Sequence, residues 1–329
     1  MTGPPIPAPR GPLSGAVVDA LRGGPVRDVD VTGADPYGDD LQLALHCCYE
    51  LHYRGFDGAD ADLEWDPDLL RLRVAVERVF LAALRADVEP SDDVDAEIEA
   101  LLVEPVGPDL RGLSHHLLRD GTMEQLREYV THRSIYHLKE ADPQAWAIPR
   151  IGGAAKAGLV TVEHDEYGSG RPERMHSLLF AEMMTELGLD AGYGAHVDRV
   201  PGETLAEVNL MSLCGLRRSL RGASVGQFAM VELTSSPGSE RLVRAMRGLG
   251  CGPAAIRFYD EHVEADAVHE QVVRRDVLAP LLAAEPDLAA DVVFGIRAAL
   301  FLGERMQERL LGAWERGGSS LREPVPAAA

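Results

Sequence analysis

A chain of 329 residues, 46% hydrophobic and only 5% aromatic, can bury one large core, and its net charge of −21 argues against nucleic acid as a partner, because an acidic surface repels a phosphate backbone. It has no run of 18 apolar residues, so no membrane span is indicated, and the Pro-rich first dozen residues lack the apolar core of a signal peptide. The cysteines, Cys47, Cys48, Cys214 and Cys251, form no C-x-x-C pair; structural zinc and thioredoxin chemistry are set aside, and a reducing cytoplasm is the expected compartment.

Residues 1–34 are rich in Pro and Gly and are expected to form a flexible arm, disordered or loosely docked, with a short helix over 16–21. Helical periodicity begins at Asp39, where Leu41, Leu45, Cys48 and Leu51 recur at threes and fours until Gly55. Asp66-Pro67 opens a second helix, with Leu69, Leu72, Val76, Phe80 and Ala83 on its apolar face. The acidic block from Asp87 to Glu99 contains no His and reads as a solvated loop and helix start. Residues 35–120 are thus a helical N-terminal region without evident chemistry.

From Thr122 a helix is expected over 123–140, closed by Ala141-Asp142-Pro143. A second over 148–167 is interrupted by Tyr167-Gly-Ser-Gly-Arg-Pro172, and a third runs from Pro172 to Gly188. Thr204-x-x-Glu207 is a capping box for the next. Residues 223–233 are expected to end at Ser235-Ser-Pro-Gly238, with a separate short helix over 239–249. Pro253 starts the helix that follows, Pro280 ends or kinks it, and a last helix covers 287–314 before a disordered tail over 317–329.

The helix after Pro253 carries the densest chemistry. His262, Asp266 and His269 stand at i, i+4 and i+7, which at about 100° per residue falls within roughly 60° on one face. Two imidazoles and a carboxylate on one face form a metal-ligand set, although Glu261, Glu264 and Glu270 nearby also fit a plain polar face. Of eleven histidines, only His176 and His269 have a carboxylate three residues before them, Glu173 and Asp266. Helical dinuclear sites combine two such i, i+3 pairs with single acidic residues from two further helices. Glu140, ending an otherwise apolar and aromatic helix, and Glu232, framed by Phe228-Ala-Met-Val231 and Leu233, are the candidates, since either would be costly to bury without a partner. Imidazole and carboxylate without thiolate suit iron or manganese better than a closed zinc site.

Four segments, Leu138-Lys-Glu-Ala-Asp-Pro-Gln-Ala-Trp-Ala-Ile-Pro149, Asp165-Glu-Tyr-Gly168, Arg174-Met-His-Ser-Leu-Leu-Phe180 and Phe258-Tyr-Asp-Glu-His-Val-Glu-Ala-Asp-Ala-Val-His269, resemble the haem-oxygenase-like diiron oxidases and oxygenases, often called iron-containing redox enzymes. The resemblance covers about 120–316 and is closest in ligand spacing to N-oxygenating members. It implies an all-α, haem-oxygenase-like seven-helix bundle over 121–316, with the helical region 35–120 as an addition that could form a homodimer. It implies the ligands Glu140, Glu166, His176, Glu232, His262, Asp266 and His269, with Glu173 as the alternative to Glu166. By analogy Glu166 bridges or reorients between the irons; His176, His269 and Glu140 serve one iron, and Glu232, His262 and Asp266 the other. On an ideal helix Glu166 and His176 would not share a face, so the Gly-Ser-Gly-Arg-Pro interruption has to bring them together.

The implied activity is O2-dependent N-oxygenation of a small amine, guanidine or amino-acid-like metabolite by two Fe(II)/Fe(III) ions through a peroxo-diferric oxidant, in a biosynthetic role, with an external electron donor possible. Oxidative C–C cleavage or desaturation of an amino or fatty acid at the same site is the alternative, and a non-catalytic metal- or partner-binding helical protein is the reading of another class. Haem is not expected, because it would leave the His262, Asp266 and His269 cluster unexplained. His132 and His137, at i, i+5, do not face together and are assigned to packing or surface; His164 is a candidate outer partner of the metal site. Arg171, Arg174, Arg217 and Arg218 are candidate anchors for a substrate carboxylate, and Tyr136, Tyr259 and Trp146 candidate pocket walls.

Overall fold

The computed structural model describes residues 3–104, 107 and 110–322, and of residues 264–267 the backbone only. Among the described residues there is no strand, as the composition and helical spacing require. The N-terminal region holds α1 (Pro12–Leu21), α2 (Asp39–Glu50), α3 (Pro67–Asp87), α4 (Val94–Leu102) and α5 (Leu113–Arg119). Then follow α6 (Met123–His137), the single turn α7 (Asp142–Ala145), α8 (Gly153–Glu166), α9 (His176–Glu186), α10 (Gly202–Leu216), α11 (Arg221–Gly248), α12 (Pro253–Val272), the short α13 (Ala279–Ala284) and α14 (Ala289–Glu315). Setting aside α7 and α13, the region after residue 121 has seven helices of eleven residues or more, matching the expected bundle.

Several starts are written in the sequence. The Asp66 carboxylate accepts from the N–H groups of Asp68 and Leu69 ahead of Pro67, and Thr122 with Gln125 makes a reciprocal capping box. The expected box at Thr204 and Glu207 does not cap anything: α10 already begins at Gly202, and the Thr204 hydroxyl instead bonds His132 Nδ1 at 2.7 Å. The N–H of Ala255, one of the orphan donors at the start of α12, is accepted by Glu186 Oε2 at 2.8 Å. That bond fixes the start of α12 to the end of α9, and these two helices carry three of the histidines of interest.

Residues 221–248 form one helix, not two. Pro237 removes one backbone bond, but α11 is packed along both α12 and α14, and tertiary burial outweighs a local breaker. At the α11–α14 crossing the backbones nearly touch: a Cβ on Gly226 would lie 2.0 Å from Val292 O, and one on Gly295 2.1 Å from Ala223 O. Pro280 sits in the first turn of α13. The six residues before α13, Val273–Leu278, widen into a π-helical segment, which accommodates the proline ring that would otherwise strike the carbonyl of residue 276.

The segments near both limits of the described residues pack onto the core. Leu13, Val17, Val18 and Leu21 of α1 are buried in the same core cluster as α2, α3, α10 and the middle of α14, so residues 12–21 are docked and not an arm. Ser320 is fully buried and its hydroxyl lies 2.8 Å from His132 Nε2, so residues 317–322 are docked as well; the rest of the expected tail, 323–329, lies outside the described residues. The core cluster that contains α1 to α3 also contains Ile135, Leu205, Leu213 and Leu302, so the N-terminal helices share one interior with the later bundle. No helix among the described residues is long and apolar enough to cross a membrane.

Candidate metal centre

Five elements converge on one buried polar site. The segment after α6 brings Glu140, α8 brings Glu166, α9 brings His176, α11 brings Glu232, and α12 brings His262 and His269. All six side chains are buried. They fall into two groups whose ligand atoms lie within 4.8 Å of one another: Glu140, Glu166, His176 and His262, and Glu166, Glu232 and His269. Glu166 belongs to both. Asp266 lies on α12 between the two histidines, but its side chain is outside the described residues. Glu173 is exposed in a short 3-10 turn, while its alternative Glu166 stands in the cluster.

The juxtaposition of Glu166 and His176 is made by a loop. Gly168, Ser169 and Gly170 all adopt positive φ, Pro172 opens a turn, and α9 then begins at His176 itself. The reversal sets His176 Nδ1 2.6 Å from Glu166 Oε2.

One expectation is corrected. The analogy paired His269 with His176 and Glu140, and His262 with Glu232. The structure has them the other way round. His262 Nε2 lies 4.0 Å from Glu140 Oε1, and its ring centroid is 4.3 Å from that of His176. His269 Nδ1 lies 3.0 Å from Glu232 Oε2 and 3.7 Å from Glu166 Oε1. Seven residues separate the two imidazoles by about 10 Å along the helix axis, so each meets a different level of the surrounding helices.

The donor set fits a cation. His262 Nδ1–H donates to Phe258 O at 2.7 Å, which leaves Nε2 as a lone pair aimed at the Glu140 side of the site. Glu140 Oε2 is buried without a hydrogen-bond partner. Burial and the neighbouring charges of Glu140 and Glu232 push the Glu166 carboxyl well up. Burial also acts upward on Glu140, but the neighbouring imidazoles of His137, His262 and His176, together with the hydrogen bond from His137, outweigh it and hold this carboxyl down. Three carboxylates in one dry site repel one another, and a cation relieves both the repulsion and the orphaned oxygen.

Sequence reasoning missed three neighbours. His137, assigned to packing or surface, has Nδ1 3.0 Å from Glu140 Oε1. Asp165 Oδ2 lies 3.5 Å from His269 Nε2, whereas His164, the residue proposed for an outer role, is exposed. Glu163 is buried one turn before Glu166 with neither oxygen hydrogen-bonded, and burial, with the charges of Glu166 and Glu232, pushes it up to about 9. Its signal was a third acid on a short helix, lost among 53 acidic residues.

The segment carrying Glu140 is fastened from the N-terminal side. Arg54 donates to Leu138 O at 3.2 Å, and Lys139 Nζ lies 3.1 Å from Glu50 Oε2, with both side chains of that ion pair almost completely buried. The Tyr193 hydroxyl donates to the other oxygen of Glu50 at 2.7 Å.

Two cavities reach the cluster. One of about 460 Å³ touches Glu140, Glu166, Glu232 and His262 and is walled by Tyr129, Tyr259, Arg133 and Arg241. The other, of about 260 Å³, touches His176 and His269. Of the expected carboxylate anchors, Arg217 pairs with Glu77 and Arg171 and Arg218 are exposed, whereas Arg174 lines the smaller cavity.

A family model described as iron-containing redox enzyme matches residues 127–304, more than half of the chain. The chain is also similar to the nitrosourea synthase of Streptomyces achromogenes subsp. streptozoticus, with 24% identity over 244 residues, 71% of this chain and 52% of that protein. It thus spans about half the length of that curated relative.

Proposed function

The chain belongs to the family of iron-containing redox enzymes, and from that premise we propose that this oxidoreductase is an O2-dependent non-haem diiron oxygenase that N-oxygenates a small amine, guanidine or amino-acid-like metabolite. The observation that carries the reading is the pair of buried ligand groups sharing Glu166 at the inner end of a cavity large enough for a small organic molecule.

Glu140, His176 and His262 would hold one iron, Glu232 and His269 the other, and Glu166 would bridge. Asp266 stays in the proposed set by its register on α12, one turn from each histidine. Bound ferrous ions would supply the electrons that reduce O2. The chain's own work is positional: His262 is oriented by Phe258 O and Glu140 by His137, and Phe258 and Tyr259 line the larger cavity beside them. The relative is named for making a nitrosourea, which supports nitrogen as the atom oxygenated.

The test is anaerobic Fe(II) loading followed by O2 and a panel of amines, guanidines and amino acids. About two irons per chain and a product that keeps its carbon skeleton and gains oxygen on nitrogen are expected. A shortened or unsaturated carbon chain would instead establish oxidative cleavage or desaturation, and failure to bind iron would leave a non-catalytic helical protein.

A further inference from the structure

The two cavities that reach the cluster differ in the charges they present. The larger one is lined by the cluster's own Glu140, Glu166 and Glu232 and by Arg111, Arg133 and Arg241, each of these ion-paired with an acid, Glu315, Glu207 and Glu104. The smaller one offers Asp165 and Glu261 against a single guanidinium, Arg174. It also meets the cluster at its imidazoles, His176 and His269, and not at its carboxylates. Asp165 lines this cavity beside His269. Its side chain is 43% exposed, its Oδ1 accepts from Ser169 Oγ at 2.6 Å, and its Oδ2 lies 3.5 Å from His269 Nε2. At the rim Arg174, on the loop before α9, is ion-paired with Glu261 of α12.

We propose that the smaller cavity is the port through which ferrous ion enters, with Asp165 as the carboxylate that receives it from water and the Arg174–Glu261 pair setting the charge at the rim. The proposal rests on the diiron reading above. A hydrated Fe(II) is drawn to the net negative mouth that Asp165 and Glu261 make against Arg174. Oxygen donors exchange readily with its bound water, so an exposed carboxylate is a suitable first contact. His269 is the next donor inward, within reach of Asp165 on one side and Glu232 on the other. Entry here leaves the larger cavity free for substrate, so loading and turnover do not compete for one passage.

The rim pair gives a test with two opposite signs. Arg174→Gln leaves Glu261 unpaired and makes the mouth more negative; Glu261→Gln leaves Arg174 unpaired and makes it more positive. Uptake by the full chain is followed anaerobically by mixing with Fe(II) at low salt, quenching at intervals with a chromogenic Fe(II) chelator, and measuring final iron by elemental analysis. Arg174→Gln is expected to load faster and Glu261→Gln slower, with roughly tenfold between them, with the same final iron content in both. The difference should collapse near 1 M salt, where the screening length is about 3 Å. Arg241→Gln, in the wall of the larger cavity, should load at the unaltered rate. Equal low-salt rates for the two rim variants, or a larger effect from Arg241→Gln, overturn the port while leaving the diiron reading intact. No uptake by the unaltered protein overturns both.

Discussion

His137 Nδ1 lies 3.0 Å from Glu140 Oε1, and Arg133 Nε–H donates to His137 Nε2 at 3.4 Å. The second bond makes Nε2 the acceptor, so the ring proton is on Nδ1 and is directed at the carboxylate. Burial pushes the imidazole down to about 4, so it does this as a neutral ring. A polar partner that orients a metal-binding carboxylate typically contributes a factor of about 10–100 in metal affinity. His137→Phe keeps the ring contacts to Phe180 and Phe258 and loses the bond. Its Fe(II) affinity, measured by chelator competition, should fall by about that factor while the thermal midpoint moves little. Unchanged affinity would return His137 to a packing role.

His132 and His269 are both buried, yet they should separate cleanly. His132 spans Thr204 and Ser320, tying α6 to α10 and to the end of the described chain. His132→Ala should lose about 1–3 kcal/mol of stability in urea and keep its iron. His269→Ala should bind less iron and fold normally. Equal iron content in the two variants would sink the assignment of His269.

Glu163 makes the metal-free protein pH-sensitive. Its folded pKa is raised to about 9 from an ordinary 4.5, so between those values the native state holds a proton that the unfolded state has released. Native stability therefore falls as pH rises through this window, by at most about 1.4 kcal/mol per pH unit, and no penalty remains below the unfolded value. Glu163→Gln removes the effect. Urea titrations of metal-free protein should show the variant gaining over the parent at about pH 8 and not at about pH 4. A gain that is the same at both values would mean that the carboxyl is not neutral in the fold.

The α11–α14 crossing tolerates no side chain. Gly226→Ala would set a methyl 2.0 Å from Val292 O, and relief requires moving one long helix off another. A loss of about 1–3 kcal/mol or more is expected, together with weaker iron binding, because Glu232 rides on α11 less than two turns away. Gly238→Ala on the same helix, where nothing lies within 4 Å, is the control and should be near neutral.

Much of this was legible in the sequence where a local rule decides. Asp66-Pro67 and Thr122 with Gln125 are complete instructions for a helix start, and the face shared by His262 and His269 follows from spacing alone. Which iron each histidine would serve was not legible, because register around a helix says nothing of the height at which neighbouring helices cross it. Pro237 looked like a break because the packing of α12 and α14 over it is non-local. His137 carries the opposite order of signal, its acid following it and not preceding it: among the eleven histidines only His137, with Glu140, has a carboxylate three residues after it.

The clasp on the segment 138–140 carries a consequence for the outline of the enzyme. The match to the family model begins at residue 127, but Glu50 and Arg54, which hold Lys139 and Leu138 in place, precede it by more than 70 residues. A shortened protein beginning at residue 121 would retain every proposed ligand, yet it would lack the counter-ion of a buried lysine immediately beside one of them. Relatives that differ in this leading region can therefore differ in how firmly they hold iron, even with identical ligands.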